Sequence, residues 1–387
     1  MVQLSTTEHA LVDDLLECLA VAMDRTPDAD PAYANKTKLQ KLLYLAVDEF
    51  DLPLTYSWYL AGAVVPGDPV SPAGLATAFD SLPSPDQPGL EESASPSDHS
   101  ETRVPQPKTD ELDEFEDANV DVSYNVGTDE ATDSDRSLDP VMFSDSVIDS
   151  ADTGPDPDTD DVLADRRDDI IDFYAQTLPD VWHQNTMQFL QNFYLSHAPD
   201  EYQDIYLQST HLRTRLREVE QAIEATLADE AVPQDLDALV KAVGLEVSDL
   251  HYSIRKSDSL AATLELVVRG TDLIEDGLLM LSKLDPEELT PQHREVVVEM
   301  QEFFYYTVWR LPCLIISQET ATGPSADKLR AQRQETLTSF DDRLREKCDA
   351  FERTLERTGL KPGYADYDLR DDEVGETAAK LTEKYFE

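Results

Sequence analysis

Cysteine and long apolar runs are both scarce in this chain of 387 residues. The three cysteines, Cys18, Cys313 and Cys348, lie far apart and form no CxxC pair, so we interpret them as small buried thiols. One of the longest apolar runs, VWRLPCLIIS, is interrupted by Arg310 and Pro312 and falls short of the roughly 18 residues that a membrane-spanning helix needs. The N-terminal sequence lacks the positive and apolar regions of a signal peptide. We therefore expect a soluble, cytoplasmic protein with no membrane partner.

Positive charge is the second scarcity. The chain has 31 basic and 81 acidic residues, which gives a formal net charge of −50. Charge of this size repels itself at low ionic strength and is screened within roughly 3 Å near molar salt, so the composition indicates a halophilic archaeal protein. Because acidic residues occur everywhere, a pair of carboxylates carries almost no information about catalysis. Nucleic acid is disfavoured as the main partner, since phosphate binding needs a basic footprint and weakens with salt.

Motifs of known catalytic chemistry are also missing from the sequence. It contains no P-loop, no GxGxxG, no HExxH and no GxSxG. Its seven histidines show no metal-ligand spacing, and we interpret His183 and His197, which lie near aromatic residues, as structural. We predict that the protein is not an enzyme and holds no metal or cofactor. An enzyme whose site has no recognisable motif is the third-ranked alternative.

Composition divides the chain into three parts. Residues 1–66 and 161–387 show apolar periodicity, whereas residues 67–160 are rich in Pro, Ser and Asp and hold only three basic residues. Low hydrophobicity combined with high net charge cannot bury enough surface to offset the entropy of ordering a chain. We predict a small N-terminal helical domain, a disordered acidic linker over 67–160 and a C-terminal helical bundle.

The C-terminal part predicts long helices with coiled-coil spacing. Between residues 257 and 284 the apolar positions alternate four and three residues apart, which is the seam of a coiled coil or a long-helix bundle. Similar stripes occupy residues 212–223 and 337–355. We place another helix start at Pro291 and expect Pro312 to kink or end that helix. The prediction is a mainly α protein whose long-helix bundle has coiled-coil character and offers a surface for oligomerisation.

The most informative stretch is NKTKLQKLLYLAVDEFDLPLTYSWYLAGAVVPGD, residues 35–68. A helix is predicted before it, from Thr6 to Met23, with Ser5 and Glu8 as its capping box. A second helix is predicted from Thr37, and three lysines should lie off its apolar face, on the solvent side. Pro53 disfavours continuation of this helix. The aromatic segment that follows predicts a short strand or an extended segment, in which glycine allows tight backbone.

The motifs KLQKLLYLA, LPL and SWYLAGAVVP, in this order, resemble the Panacea domain, an antitoxin module related to the SocA-type and GepA-like proteins. The matching positions are residues 38–45 in the helix and Trp58, Gly62, Val64, Val65 and Pro66 in the second segment. The chain departs from the family in having Gly62-Ala63 where the family has Gly-Pro, and the family's remaining helices are not recognisable. The resemblance implies a protein without catalytic residues that neutralises a toxin by direct contact.

We predict a non-enzymatic, antitoxin-like interaction module that binds a partner protein, such as a toxin, through its N-terminal part. The candidate partner-binding residues are Lys36, Lys38, Lys41, Tyr44, Trp58, Tyr59 and Gly62. Exposed lysines on an anionic protein would dock an acidic surface of the partner. Alternatively, the two helices and the extended segment form the winged helix of a transcriptional regulator, and the lysines touch phosphates. A solvated helix face without any partner explains the lysines equally well.

Overall fold

The structure, a computed structural model, describes residues 4–82 and 163–366, apart from residues 28, 31–33, 68, 164, 230–234 and 364–365. Within these residues the chain is helical with very little strand, which confirms the prediction of a mainly α fold. The predicted disordered linker, except for its first residues, lies outside the described residues. The role of that segment as a tether stays a prediction.

Eleven α-helices and one β-hairpin make up the described part of the chain. The N-terminal elements are α1 (Thr6–Arg25), α2 (Lys36–Phe50), β1 (Ser57–Tyr59), β2 (Gly62–Val64) and α3 (Pro72–Asp80). The later helices are α4 (Arg167–Val181), α5 (Thr186–His197), α6 (Gln203–Leu227), α7 (Leu236–Lys256), α8 (Leu264–Leu281), α9 (Pro291–Phe303), α10 (Arg310–Thr320) and α11 (Ala326–Thr358). Short 3-10 turns at Ala261–Thr263 and Pro286–Glu288 precede α8 and α9, and a π-helical turn at Phe304–Val308 follows α9.

The first two helices start at side-chain caps. At α1, the Ser5 hydroxyl accepts a hydrogen bond from the Glu8 backbone at 3.2 Å, and the Glu8 carboxylate accepts one from the Ser5 backbone at 2.9 Å. This pair is the predicted capping box. At α2, the Asn35 side chain accepts a hydrogen bond from the Lys38 backbone at 2.8 Å, so the helix begins one residue before the predicted position. Its end is marked by Asp51 in the left-handed conformation, with φ of 50°.

The aromatic segment after α2 forms a tight antiparallel hairpin. Trp58 lies opposite Ala63, and the chain reverses between Tyr59 and Gly62. Gly62 has φ of 92°, and a Cβ atom there would lie 2.8 Å from the Tyr194 ring, so both backbone angle and space require glycine. Of the two predicted alternatives, the short strand is therefore the one observed.

The later helices form a bundle of long helices, as predicted. In this bundle α6 packs on α7 and α9, and α11, which has 33 residues, packs on α8, α9 and α10. The buried residues of three predicted stripes are Leu212, Leu216, Val219 and Ile223; Leu260, Val267, Thr271, Ile274, Leu278 and Leu281; and Phe340, Leu344, Cys348, Phe351 and Leu355. The helix that carries the stripe from residue 257 is shorter than the stripe. Ser257 follows the end of α7, and α8 begins only at Leu264.

The helix that begins at Pro291 ends before Pro312, and Pro312 itself lies inside the next helix, α10. α9 starts at Pro291 as predicted and stops at Phe303, and the chain widens into the π turn before α10 begins. A proline ring clashes with the carbonyl four residues earlier and has no N–H to bond it. In this chain the widened turn lies at that position, and Pro312 is the third residue of α10, where a missing N–H is tolerated.

The predicted linker starts too early. Residues 72–80 form α3, which is capped by the Ser71 side chain and packs on α1. Val70 and Leu75 are buried in this contact. The predicted boundary followed the prolines and serines of this region, but a proline in the first turn is favourable and the short apolar run still supplies a buried face.

Helices from both sides of the linker share one hydrophobic core. α1 and α2 pack on α4, and β1 packs on α10. The three cysteines lie within this core, which confirms their interpretation as buried thiols. The division of the chain into separate N-terminal and C-terminal domains stays a prediction.

Candidate functional site

Two side chains on the polar side of α2 form hydrogen bonds with the backbone of the hairpin and of the residue that follows it. Lys41 donates a hydrogen bond from Nζ to the Ala63 carbonyl at 2.9 Å. Gln40 accepts one at Oε1 from the Val65 backbone at 2.9 Å. Both bonds are buried, so they hold the hairpin over a helix face that amphipathic spacing would assign to solvent.

A small cavity, which we call the α2 pocket, lies between these elements. Its volume is about 20 Å³, and it is lined by Lys36, Thr37, Gln40 and Lys41 of α2 and by Tyr59–Ala61 and Val64 of the hairpin. Two positive side chains face it, whereas none of its lining residues in the described chain is acidic. The cavity slightly exceeds the about 10–15 Å³ that one water-sized occupant needs.

Gln40 carries an unused hydrogen-bond donor at this pocket. The side chain is 2 % exposed, and its bond to the Val65 backbone fixes which end of the amide is the oxygen. The other end, Nε2, is buried and has no hydrogen-bond acceptor among the described residues. A buried donor without an acceptor costs about 1–3 kcal/mol, so an occupant that accepts from Nε2 would recover stability.

Two arginines contact Tyr59, a residue of the pocket wall. The Arg333 guanidinium lies 4.1 Å from the centre of the Tyr59 ring, and Arg310 hydrogen-bonds the phenol of the same tyrosine. Burial raises the pKa of Tyr59, and the charges of Arg310 and Arg333 offset part of that rise. Tyr59 thus contacts two arginines, from α10 and α11, and lines the pocket together with two lysines.

The hairpin turn is held rigidly over the pocket. The Tyr206 hydroxyl donates to the Tyr59 carbonyl at 2.8 Å, and the Trp309 indole donates to the Leu60 carbonyl at 2.9 Å. Below the turn, the Trp58 ring stacks on Phe193 with ring centres 5.6 Å apart. These contacts fix the backbone that forms one wall of the pocket, so the pocket is preformed.

Tyr44 and Lys38 lie on other sides of α2. The Tyr44 ring meets Trp58 edge-on at 5.8 Å and belongs to the aromatic core. Lys38 points towards α4, where its Nζ donates to the Trp182 carbonyl at 3.0 Å. Neither residue lines the α2 pocket.

All seven predicted partner-binding residues are buried. The exposed fractions of Lys36, Lys38 and Lys41 are 7 %, 5 % and 1 %, so the prediction that they face solvent is wrong. The physical reason is that the hairpin and the end of α4 cover the polar side of α2. The ammonium groups of Lys38 and Lys41 donate hydrogen bonds to backbone carbonyls there. Partner binding through these residues stays a prediction, and the structure brings Lys36, Lys41 and Tyr59 together at one pocket.

Three residues of the site were missed by the sequence analysis. Gln40 stood inside the quoted motif, but a single glutamine in a helix has no distinguishing pattern. Arg310 and Arg333 come from helices far along the chain, and no spacing connects them with Tyr59. The winged-helix alternative stays a prediction, although the hairpin packs on α10 and its residues are largely buried.

A second polar cluster joins α1 to the start of α11. The Glu8 carboxylate accepts from the Thr55 backbone at 3.0 Å and from the Ser325 hydroxyl at 2.8 Å, in addition to its capping bonds with Ser5. Burial raises the pKa of Glu8, but the hydrogen bonds from Thr55, Ser5 and Ser325 outweigh it, so the net pKa lies below its ordinary value. We call these residues the Glu8 clasp and assign them a structural role.

A cluster of metal-ligating side chains and a membrane-spanning helix are both absent from the described residues. No group of three or more His, Cys, Asp or Glu side chains is placed there to hold a metal ion. In the same ranges, no helix combines the length and apolarity that crossing a membrane requires.

Comparison with known proteins identifies a family for this chain. A family model described as a domain of unknown function, DUF8098, matches residues 1–387. The chain belongs to this family. No curated protein and no solved structure matches it. The resemblance to Panacea domains is not addressed by these comparisons and stays a prediction.

Proposed function

We propose that the protein acts without catalysis, by binding a partner protein, and that the partner contacts the α2 pocket and the hairpin turn beside it. The observation that carries this proposal is the gathering of Lys36, Lys41, Arg310 and Arg333 around Tyr59. In a chain with 31 basic and 81 acidic residues, four cations that contact one tyrosine or share its pocket form a local exception to the excess of negative charge.

Such an exception suits a partner that carries an acidic group. Charge complementarity at contact range fixes register and rejects wrong partners even where salt screens long-range attraction. The rigid hairpin turn also favours binding, because a preformed contact surface loses little entropy on association. The Panacea resemblance adds the expectation that the partner is a toxin and that binding neutralises it.

The test is purification of the tagged full-length chain from its own host in molar potassium chloride, with mass spectrometry of the proteins retained. We expect one stoichiometric partner that is toxic when expressed alone. Recovery of the chain without any partner would contradict the proposal. Recovery of DNA in place of a protein would favour the regulator alternative.

A charge-reversed variant locates the contact. Lys36→Glu places an acidic side chain at the first position of α2, where a negative charge suits the helix dipole. Because Lys36 is buried, circular dichroism of the variant first verifies that it folds. We expect this variant to retain at least tenfold less partner than the wild type. The matched control is Lys328→Glu, the same change at an exposed lysine in the first turn of α11, outside the pocket. Equal retention by both variants would contradict binding at the α2 pocket.

A further inference from the structure

We propose that the α2 pocket binds one small, singly charged anion: a halide or carboxylate ion from solution, or the side-chain carboxylate of a bound protein. Binding of a free ion from solution is independent of the proposed function, whereas binding of a partner's carboxylate rests on it.

The first observation is the buried amide of Gln40. Its Oε1 is occupied by the Val65 backbone, and its Nε2 has no acceptor among the described residues. An N–H donor requires an occupant with a lone pair. A cation is therefore excluded, and a neutral or anionic acceptor remains.

The second observation is the charge of the pocket walls. Lys36 and Lys41 both line the cavity, and no carboxylate lines it within the described residues. Lys41 is held in place by the Ala63 carbonyl, which positions its charge beside the cavity. Partly buried charges are screened little by salt, so they favour an anion over a neutral water molecule as the acceptor.

The third observation is size. A volume of about 20 Å³ accommodates an occupant close to one water molecule in size. A halide ion or one end of a carboxylate has this size, whereas a phosphate ester or a nucleotide does not fit. The Thr37 side chain also lines the cavity and offers a further hydroxyl contact.

The substitution Gln40→Glu tests the site. Glutamate has the shape of glutamine and keeps an oxygen for the Val65 backbone, but its second oxygen replaces the unused donor with a negative charge. The variant therefore supplies its own carboxylate to the lysines. We expect it to lose any dependence of stability on small anions. The matched control is Gln221→Glu, the same change at an exposed position of α6.

The measurement is the thermal midpoint of the full chain while potassium chloride is exchanged for potassium methanesulfonate at constant ionic strength. Methanesulfonate is singly charged, so general screening stays constant, but its sulfonate group of three oxygens on one sulfur is larger than a halide or a carboxylate and does not fit the cavity. We expect the midpoint of the wild type and of Gln221→Glu to rise with chloride, and that of Gln40→Glu to stay flat. Equal midpoints of the wild type in both salts would overturn the proposal.

A crystal structure of the wild type grown in potassium bromide makes the test independent of any variant. An anomalous peak beside Gln40 Nε2 would support a free anion, and a water molecule at that position without such a peak would overturn it. If a protein partner is found, the structure of the complex separates the two sources, because its carboxylate would then replace the bromide.

The two proposals can fail separately. A partner that binds normally to Gln40→Glu, together with water in the pocket, would overturn the anion site and leave the proposed function standing. Bromide in the pocket of a chain that retains no partner would support the anion site and overturn the proposed function.

Discussion

The Glu8 clasp allows a stability prediction to be worked out in detail. The carboxylate is 1 % exposed, and its Oε2 accepts from the Ser5 backbone, the Ser5 hydroxyl and the Ser325 hydroxyl, while Oε1 accepts from the Thr55 backbone. The change Glu8→Gln keeps shape but removes the charge. The amide oxygen of the glutamine can accept the three hydrogen bonds made at Oε2. Its NH₂ group then faces the Thr55 N–H, which loses its acceptor.

The cost follows from the bonds that change. Hydrogen bonds to a charged group are each about 1 kcal/mol stronger than neutral ones, and a buried N–H left without an acceptor costs about 1–3 kcal/mol. Three weakened bonds and one lost bond are not fully additive, so we expect Glu8→Gln to lower the free energy of unfolding by about 3 kcal/mol. The matched control is Glu17→Gln on the same helix, where an exposed ion pair with Arg167 contributes at most about 1 kcal/mol.

The assay is urea unfolding at fixed molar potassium chloride, followed by circular dichroism. If Glu8→Gln is no more destabilising than Glu17→Gln, the clasp does not hold the fold together and the reasoning fails. The pH dependence supplies a second check. Because the folded pKa of Glu8 is depressed, its contribution is full above its unfolded value of 4.5 and is lost as the pH falls through the folded pKa. The difference between wild type and Glu8→Gln should therefore shrink below that pH.

Further predictions concern the bundle and its thiols. Gly270→Ala should destabilise the fold by about 1–3 kcal/mol, because the new Cβ would lie 2.4 Å from a Val308 methyl, whereas Gly244→Ala, whose Cβ meets its nearest neighbour at 3.4 Å, should stabilise its helix by up to about 1 kcal/mol. Denaturant titration measures both, and equal effects would contradict the packing. Trp309→Phe should cost about 2 kcal/mol or more, since it removes the hydrogen bond to the Leu60 carbonyl; an unchanged unfolding midpoint would refute this. A thiol reagent should label the cysteines only after unfolding, and fast labelling of the native chain would contradict their burial. These cysteines are Cys18, Cys313 and Cys348.

Local signals in the sequence predicted the helices well. The capping box of Ser5 and Glu8 and the start of α9 at Pro291 each depend on residues within one or two turns of the chain. The conformations involved are set by local hydrogen bonds and backbone angles, so they can be predicted without knowing the rest of the fold.

The environment of the polar side of α2 could not be predicted in this way. Helical periodicity identifies an apolar face, but it does not reveal that a second layer covers the opposite face. Lys41 and Gln40 are buried because the hairpin folds back onto them. Lys38 is buried because the end of α4, which follows the linker in the sequence, packs on it. The same limit applies to Glu8, whose partner Ser325 is 317 residues away in the sequence.

The central claim is that a partner protein contacts the α2 pocket, and site-specific photo-crosslinking tests it most directly. A photoreactive amino acid at Ala61, which lines the pocket and is partly exposed, should crosslink a stoichiometric partner in host lysate at molar salt. The same amino acid at Leu245, which is 69 % exposed on α7, should not. Crosslinking at Leu245 alone, or at neither position, would contradict the account.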